Sequence, residues 1–144
     1  MAEASTQEPP PVGLGHASMT VADLEASCRF YTGFGLRTLG KHADIAILEL
    51  RGGTHLLLFQ QGSEDAEAEG DGPFDQAGVE SLDLMIAGRT REELTAFRDS
   101  LIALGITPDP ILDRTFFGHH VFTARDPDGK VVTVSTSHAS PYPI

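Results

Sequence analysis

The order of elements in this 144-residue chain repeats, and the repeat limits the folds open to it. From Leu14 to Val21 polar and apolar residues alternate, as in a strand with one buried face, and Asp23 stands where it can cap a helix carrying Leu24, Cys28 and Tyr31 on one side. Gly33 and Gly35 stop that helix. Leu36 to Leu39, Ile45 to Leu50 and, after a Gly52-Gly53 turn, Thr54 to Gln60 then read as three strands. The second half follows the same order. Ser81 to Ile86 alternates, Thr90 and Glu93 form a capping box, and Leu94, Phe97, Leu101 and Leu104 make one apolar stripe that ends at Gly105. An extended piece around Pro108 to Leu112 and a hairpin across Asp126-Pro-Asp-Gly129 complete it. Two βαβββ modules can share one curved mixed sheet with the helices on its convex side, which leaves the concave side free to hold a ligand. The predicted class is α+β.

Composition narrows the partners. A net charge of −11 repels phosphate backbones and anionic membrane surfaces, so neither nucleic acid nor membrane is expected. With one cysteine, Cys28, no internal disulfide can form, and no apolar run approaches the length of a membrane span. The expectation is a cytoplasmic protein. Residues 1–12 read as a disordered leader, 13–137 as the domain and 138–144 as a tail. Within the domain, module one spans 13–60, module two spans 79–137, and residues 61–78 form an acidic linker that contains Glu64, Asp65, Glu67, Glu69, Asp71 and Asp75.

Strand alternation assigns side chains to the concave face. His16, Ser18 and Thr20 share it on the first strand, and His55, Leu57 and Phe59 on the last strand of module one. In module two it takes Ser81, Asp83 and Met85, together with Val131, Thr133 and Ser135. If Arg125 faces Lys130 across the turn, Phe122 faces Thr133 and His120 faces Ser135, which leaves His119 pointing away. The candidate ligand-binding residues are therefore His16, Ser18, Phe59, Ser81 and Asp83, with His120, Phe122, Thr133 and Ser135 from the closing hairpin. Phe116 or Phe117 could add stacking surface. No phosphate loop, serine nucleophile elbow or CxxC motif is present.

Three segments, His16-Ala-Ser-Met-Thr-Val-Ala-Asp-Leu-Glu25, Phe30-Tyr-Thr-Gly-Phe-Gly-Leu36 and Arg125-Asp-Pro-Asp-Gly-Lys130, resemble those of the vicinal oxygen chelate superfamily. That superfamily includes glyoxalase I, extradiol dioxygenases, and fosfomycin and bleomycin resistance proteins. For its metal-dependent members the resemblance implies ligands at the positions held here by His16, Leu57, Ser81 and Thr133. Only His16 is a good donor; leucine supplies none, and serine and threonine hydroxyls are poor ones. The expectation is a protein nearest to bleomycin-resistance-like members, without metal or other cofactor, that binds a small organic molecule. The resemblance also implies a homodimer, and a pairing of His16 with Asp83 where the two first strands meet. The alternative is a metal-dependent lyase or dioxygenase that uses His16 with atypical ligands such as Asp83 or His120. A third reading is an interaction protein with a vestigial cavity.

Overall fold

The computed structural model describes residues 8, 10–62, 78–114 and 119–137. Each module begins where the sequence places a cap. After β1 (His16–Val21), the Asp23 carboxylate accepts from the Ala26 N–H at 3.2 Å and opens α1 (Leu24–Gly33). Gly35, at φ 100°, turns the chain into β2 (Arg37–His42), β3 (Ile45–Glu49) and β4 (His55–Gln60). In module two, β5 (Ser81–Met85) leads to α2 (Arg91–Ala103), where Thr90 Oγ1 accepts from the Glu93 N–H at 3.1 Å and donates to its carboxylate at 2.9 Å. β6 (Leu112–Arg114), β7 (His119–Arg125) and β8 (Val131–Ser135) follow. The α+β pair of βαβββ modules is thus present. Most of the leader and of the acidic linker, the tail, Phe116 and Phe117 lie outside the described residues.

Hydrogen bonding organises the strands as two four-stranded sheets, in the orders β1-β4-β3-β2 and β5-β8-β7-β6. In each, the first strand pairs in parallel with the last, and the other pairs are antiparallel. The sheets adjoin within the chain where the Val79 N–H, two residues before β5, donates to Ser18 O at 2.7 Å. Gly78 permits that approach, because a Cβ there would stand 3.2 Å from Ser18 O.

One core lies on the helix-covered faces. Met19, Leu48, Leu56 and Leu58 of the first sheet pack with Leu24, Cys28 and Tyr31 of α1. Phe122, Ala124, Val132 and Val134 of the second sheet belong to the same cluster as Leu94 and Leu101 of α2. Phe34, just past α1, and Phe97 of α2 bring the two layers together at 6.1 Å between ring centroids. Cys28 is buried among these groups, and burial pushes its thiol pKa up, so it behaves as a small apolar side chain. Among the described residues no helix is long and apolar enough to cross a membrane.

The closing hairpin differs from expectation by one residue. Asp126 N–H donates to Lys130 O at 2.9 Å, so Asp126 and Lys130 close a three-residue loop and Arg125 faces Val131, not Lys130. The Asp126 carboxylate fixes this loop by accepting the Asp128 N–H at 2.9 Å and the Lys130 N–H at 2.8 Å. Gly129 sits at φ 82°, the left-handed position that such a loop reserves for glycine. Gly129→Ala is expected to lower the unfolding free energy by about 1–2 kcal/mol, read as a lower denaturant midpoint at unchanged slope.

Candidate functional site

The faces turned away from the helices carry the polar side chains, and the register sets them in rows across each sheet. On the first sheet, His16 pairs with His55, His55 with Glu49, and Glu49 with Arg37. The imidazoles of His16 and His55 lie 5.5 Å apart by ring centroid, and Arg37 forms an ion pair with Glu49. Ser18 and Leu57 make the next row, and Thr20 and Phe59 the one after. By register His16, Ser18 and Phe59 therefore share the face turned from the helix, where His16 is exposed and Phe59 is buried.

On the second sheet Asp83 pairs with Thr133, Thr133 with Thr123, and the Asp109 N–H donates to Thr123 O at 2.8 Å. One polar row thus crosses the sheet from carboxylate to carboxylate. A parallel, more apolar row holds Met85, Ser135, Val121 and Leu112. Over the polar row and the Val121–Leu112 end of the other lies a cavity of about 780 Å³, within the range of small-molecule pockets, whose lining includes Asp83, Thr133, Asp109, Pro110, Leu112 and Val121 but not Ser135. Ser81, opposite Val131, lies one row further along the same face.

Two expected wall residues fall on the opposite alternation. The three-residue loop puts Thr123 opposite Thr133 and Phe122 opposite Val134, so Phe122 is 1% exposed and packs in the core, and it borders the cavity from that side. His119 reaches the cavity and His120 does not. His120 Nδ1 instead lies 2.6 Å from the Asp113 carboxylate of β6, which Arg91 at the start of α2 also meets at 3.2 Å. The hydrogen bond with His120, and behind it the Arg91 guanidinium, hold the Asp113 carboxyl below the usual carboxylate range.

The pairing of His16 with Asp83 is not formed. His16 is matched with His55 on its own sheet, and Asp83 lies four residues along from the seam hydrogen bond at Val79, roughly 13 Å of strand. Asp109, His119, Val121 and Thr123 were not among the candidates from sequence. For the three on β7, the missing signal was the loop length, since reading Gly129 as the left-handed residue of a three-residue loop gives their correct face.

The four positions at which the resemblance implies ligands in metal-dependent members are arranged with a common offset. Leu57 lies two residues beyond the partner of His16 on β4, and Thr133 two residues beyond the partner of Ser81 on β8. The framework keeps the repeat, but its donors are one imidazole, two hydroxyls and an alkyl group, which do not fit a divalent ion. Among the described residues no group of three or more His, Cys, Asp or Glu side chains is placed to hold a metal.

The profile of one family, the glyoxalase/bleomycin resistance protein/dioxygenase superfamily, matches residues 13–134. No curated protein matches the sequence. Among solved structures, a lactoylglutathione lyase from Agrobacterium tumefaciens superposes with a TM-score of 0.67 at 24% identity, covering 90% of this chain and 96% of that one. An integron cassette protein from the mobile metagenome of V. cholerae gives 0.64 at 27% identity, covering 90% and 98%. A glyoxylase/bleomycin resistance protein/dioxygenase domain from Frankia sp. EAN1pec gives 0.64 at 23% identity, covering 88% and 98%.

Proposed function

The chain belongs to the glyoxalase/bleomycin resistance protein/dioxygenase superfamily, and from that premise we propose that it is a small-molecule-binding protein that works without the metal of its metal-dependent relatives. The observation that carries this reading is the cavity over the second sheet, where Pro110, Leu112 and Val121 supply apolar surface and Asp83, Asp109 and the threonines supply polar contacts. An organic ligand is held there by burial of its apolar part and oriented by a few hydrogen bonds. The donor set around His16 supports metal independence, since it offers a cation one imidazole and no carboxylate at the family positions.

A thermal-shift screen of organic compounds tests the reading. A ligand at about a hundredfold excess over its Kd stabilises the fold by roughly 2.7 kcal/mol, which raises the Tm by several degrees. That shift is expected in the wild type and is lost in Val121→Trp, which fills the cavity from the centre of its floor. Metal-dependent turnover of an α-ketoaldehyde with glutathione, or ring opening of a catechol, would sink the proposal.

A further inference from the structure

We propose that the ligand of this cavity is an elongated organic dication, with ammonium or guanidinium groups at its two ends and an apolar or hydroxylated body between them. This rests on the binding reading above and adds the chemical class. The polar row that floors the cavity begins at Asp83 on β5 and ends at Asp109 beside β7, with Thr133 and Thr123 between them. Neighbouring strands lie about 4.8 Å apart, so two strand gaps separate Asp83 from Thr123, whose hydroxyl the Asp109 carboxylate accepts, and the two carboxylates stand roughly 10 Å apart. That is too far for both to hold one compact cation and suits a molecule with a charge at each end.

The two ends are built differently. Asp109 is held from several directions: its N–H donates to Thr123 O, its carboxylate accepts the Thr123 hydroxyl, and Arg98 of α2 reaches its carbonyl at 2.7 Å and that of Pro108 at 2.8 Å. The Arg98 guanidinium is thereby committed to main-chain oxygens. Asp83 is an exposed carboxylate in the middle of a strand, where its charge faces the open side of the sheet. Among the described residues neither lysine nor arginine lines the cavity, and its two carboxylates disfavour an anionic ligand, with His119 the one imidazole in the lining. Between the charged ends, Thr133 and Thr123 suit hydroxyl or amine groups along the body, and Val121, Leu112 and Pro110 suit its methylenes. The net charge of −11 raises the local concentration of such a ligand.

Isothermal titration of the full chain with 1,8-diaminooctane, 1,4-diaminobutane, 1-aminooctane and spermidine tests the assignment at low and moderate salt. The long diamine and spermidine are expected to bind at least about tenfold tighter than the short diamine or the monoamine, because only they meet both carboxylates. Asp83→Asn and Asp109→Asn are each expected to remove that preference, whereas Glu92→Gln, an equal loss of charge on α2, leaves it intact. Diamine binding that ignores Asp83→Asn and Asp109→Asn overturns the proposal, since general charge then accounts for it. If no cation binds but a neutral compound stabilises the wild type and not Val121→Trp, the dication fails while the binding function stands. If nothing in either screen binds, both fall together.

Discussion

Asp126→Ala is expected to lower the unfolding free energy by about 3–5 kcal/mol, the largest loss expected from any single polar group among the described residues. Asp126 is 5% exposed, yet its carboxylate takes three hydrogen bonds: Tyr31 Oη donates at 2.7 Å, and the Asp128 and Lys130 N–H groups donate to the other oxygen. Truncation removes all three and strands the hydroxyl of Tyr31, an α1 residue that is fully buried in the core. A bond to an ionised group contributes about 1.5–3 kcal/mol, and a stranded buried donor costs a further 1–3 kcal/mol or so, while water relieves part of the loss at the turn. The same contact joins the modules. Nearby, Asp128 accepts the Ala22 N–H at 3.2 Å and Lys130 Nζ donates to Thr20 O at 3.1 Å, so the hairpin of module two is tied to β1 and α1 of module one.

Tyr31→Phe removes one of the three bonds and is expected to cost less, about 1–3 kcal/mol, and the double variant less than the sum of the singles. Guanidinium unfolding at constant slope reads these differences. A loss below about 1 kcal/mol in Asp126→Ala would show that the carboxylate merely decorates the turn. Burial, and then the hydrogen bond to Asp126, push the Tyr31 pKa far above the usual tyrosine value. Because the folded value is raised, the contribution of Tyr31 is fully present below the ordinary tyrosine pKa and is lost as pH rises beyond it. Tyr31→Phe is accordingly expected to flatten the alkaline limb of the stability profile.

The fold was legible because its local signals agree with its packing. Asp23, Thr90 with Glu93, Gly35 and Gly105 mark helix ends that do not depend on tertiary context, and the alternation of His16 to Val21 and of Ser81 to Met85 matches the faces these strands present. The site was less legible, since a cavity wall depends on register and register depends on loop geometry. Whether Asp126 opens the loop or closes it changes nothing in the composition of the hairpin, yet it moves Phe122 into the core and Thr123 onto the open face. Asp109 escaped for another reason. It belongs to no regular strand, and tertiary contacts of its N–H and carboxylate with Thr123 bring it to the end of the row. The expected pair of His16 and Asp83 failed because alternation gives the face of a residue but not its distance from the seam between sheets.

If the protein works without metal as proposed, Leu57→Glu, Ser81→His and Thr133→Glu together are expected to create a divalent-metal site, with Ni²⁺ or Zn²⁺ bound at least about a hundredfold more tightly than by the wild type. The equal offsets of the His16/Leu57 and Ser81/Thr133 pairs show that the backbone still presents these positions as two matching halves on the open faces. What these positions do not offer is donor chemistry, and three substitutions supply it while His16 remains. A carboxylate at Leu57, which is only half-exposed, costs about 1–3 kcal/mol of desolvation when no ion neutralises it. The apo variant should therefore melt below the wild type, and metal should raise its Tm while leaving that of the wild type unchanged. Equilibrium dialysis with elemental analysis gives the stoichiometry, and adding His16→Ala should return the affinity to the wild-type level. If the wild type itself holds one metal ion per chain and loses it on His16→Ala, metal-free binding is wrong. If the folded triple variant gains no affinity, the matching offsets do not converge on one centre, and the open faces of the two sheets act as separate surfaces.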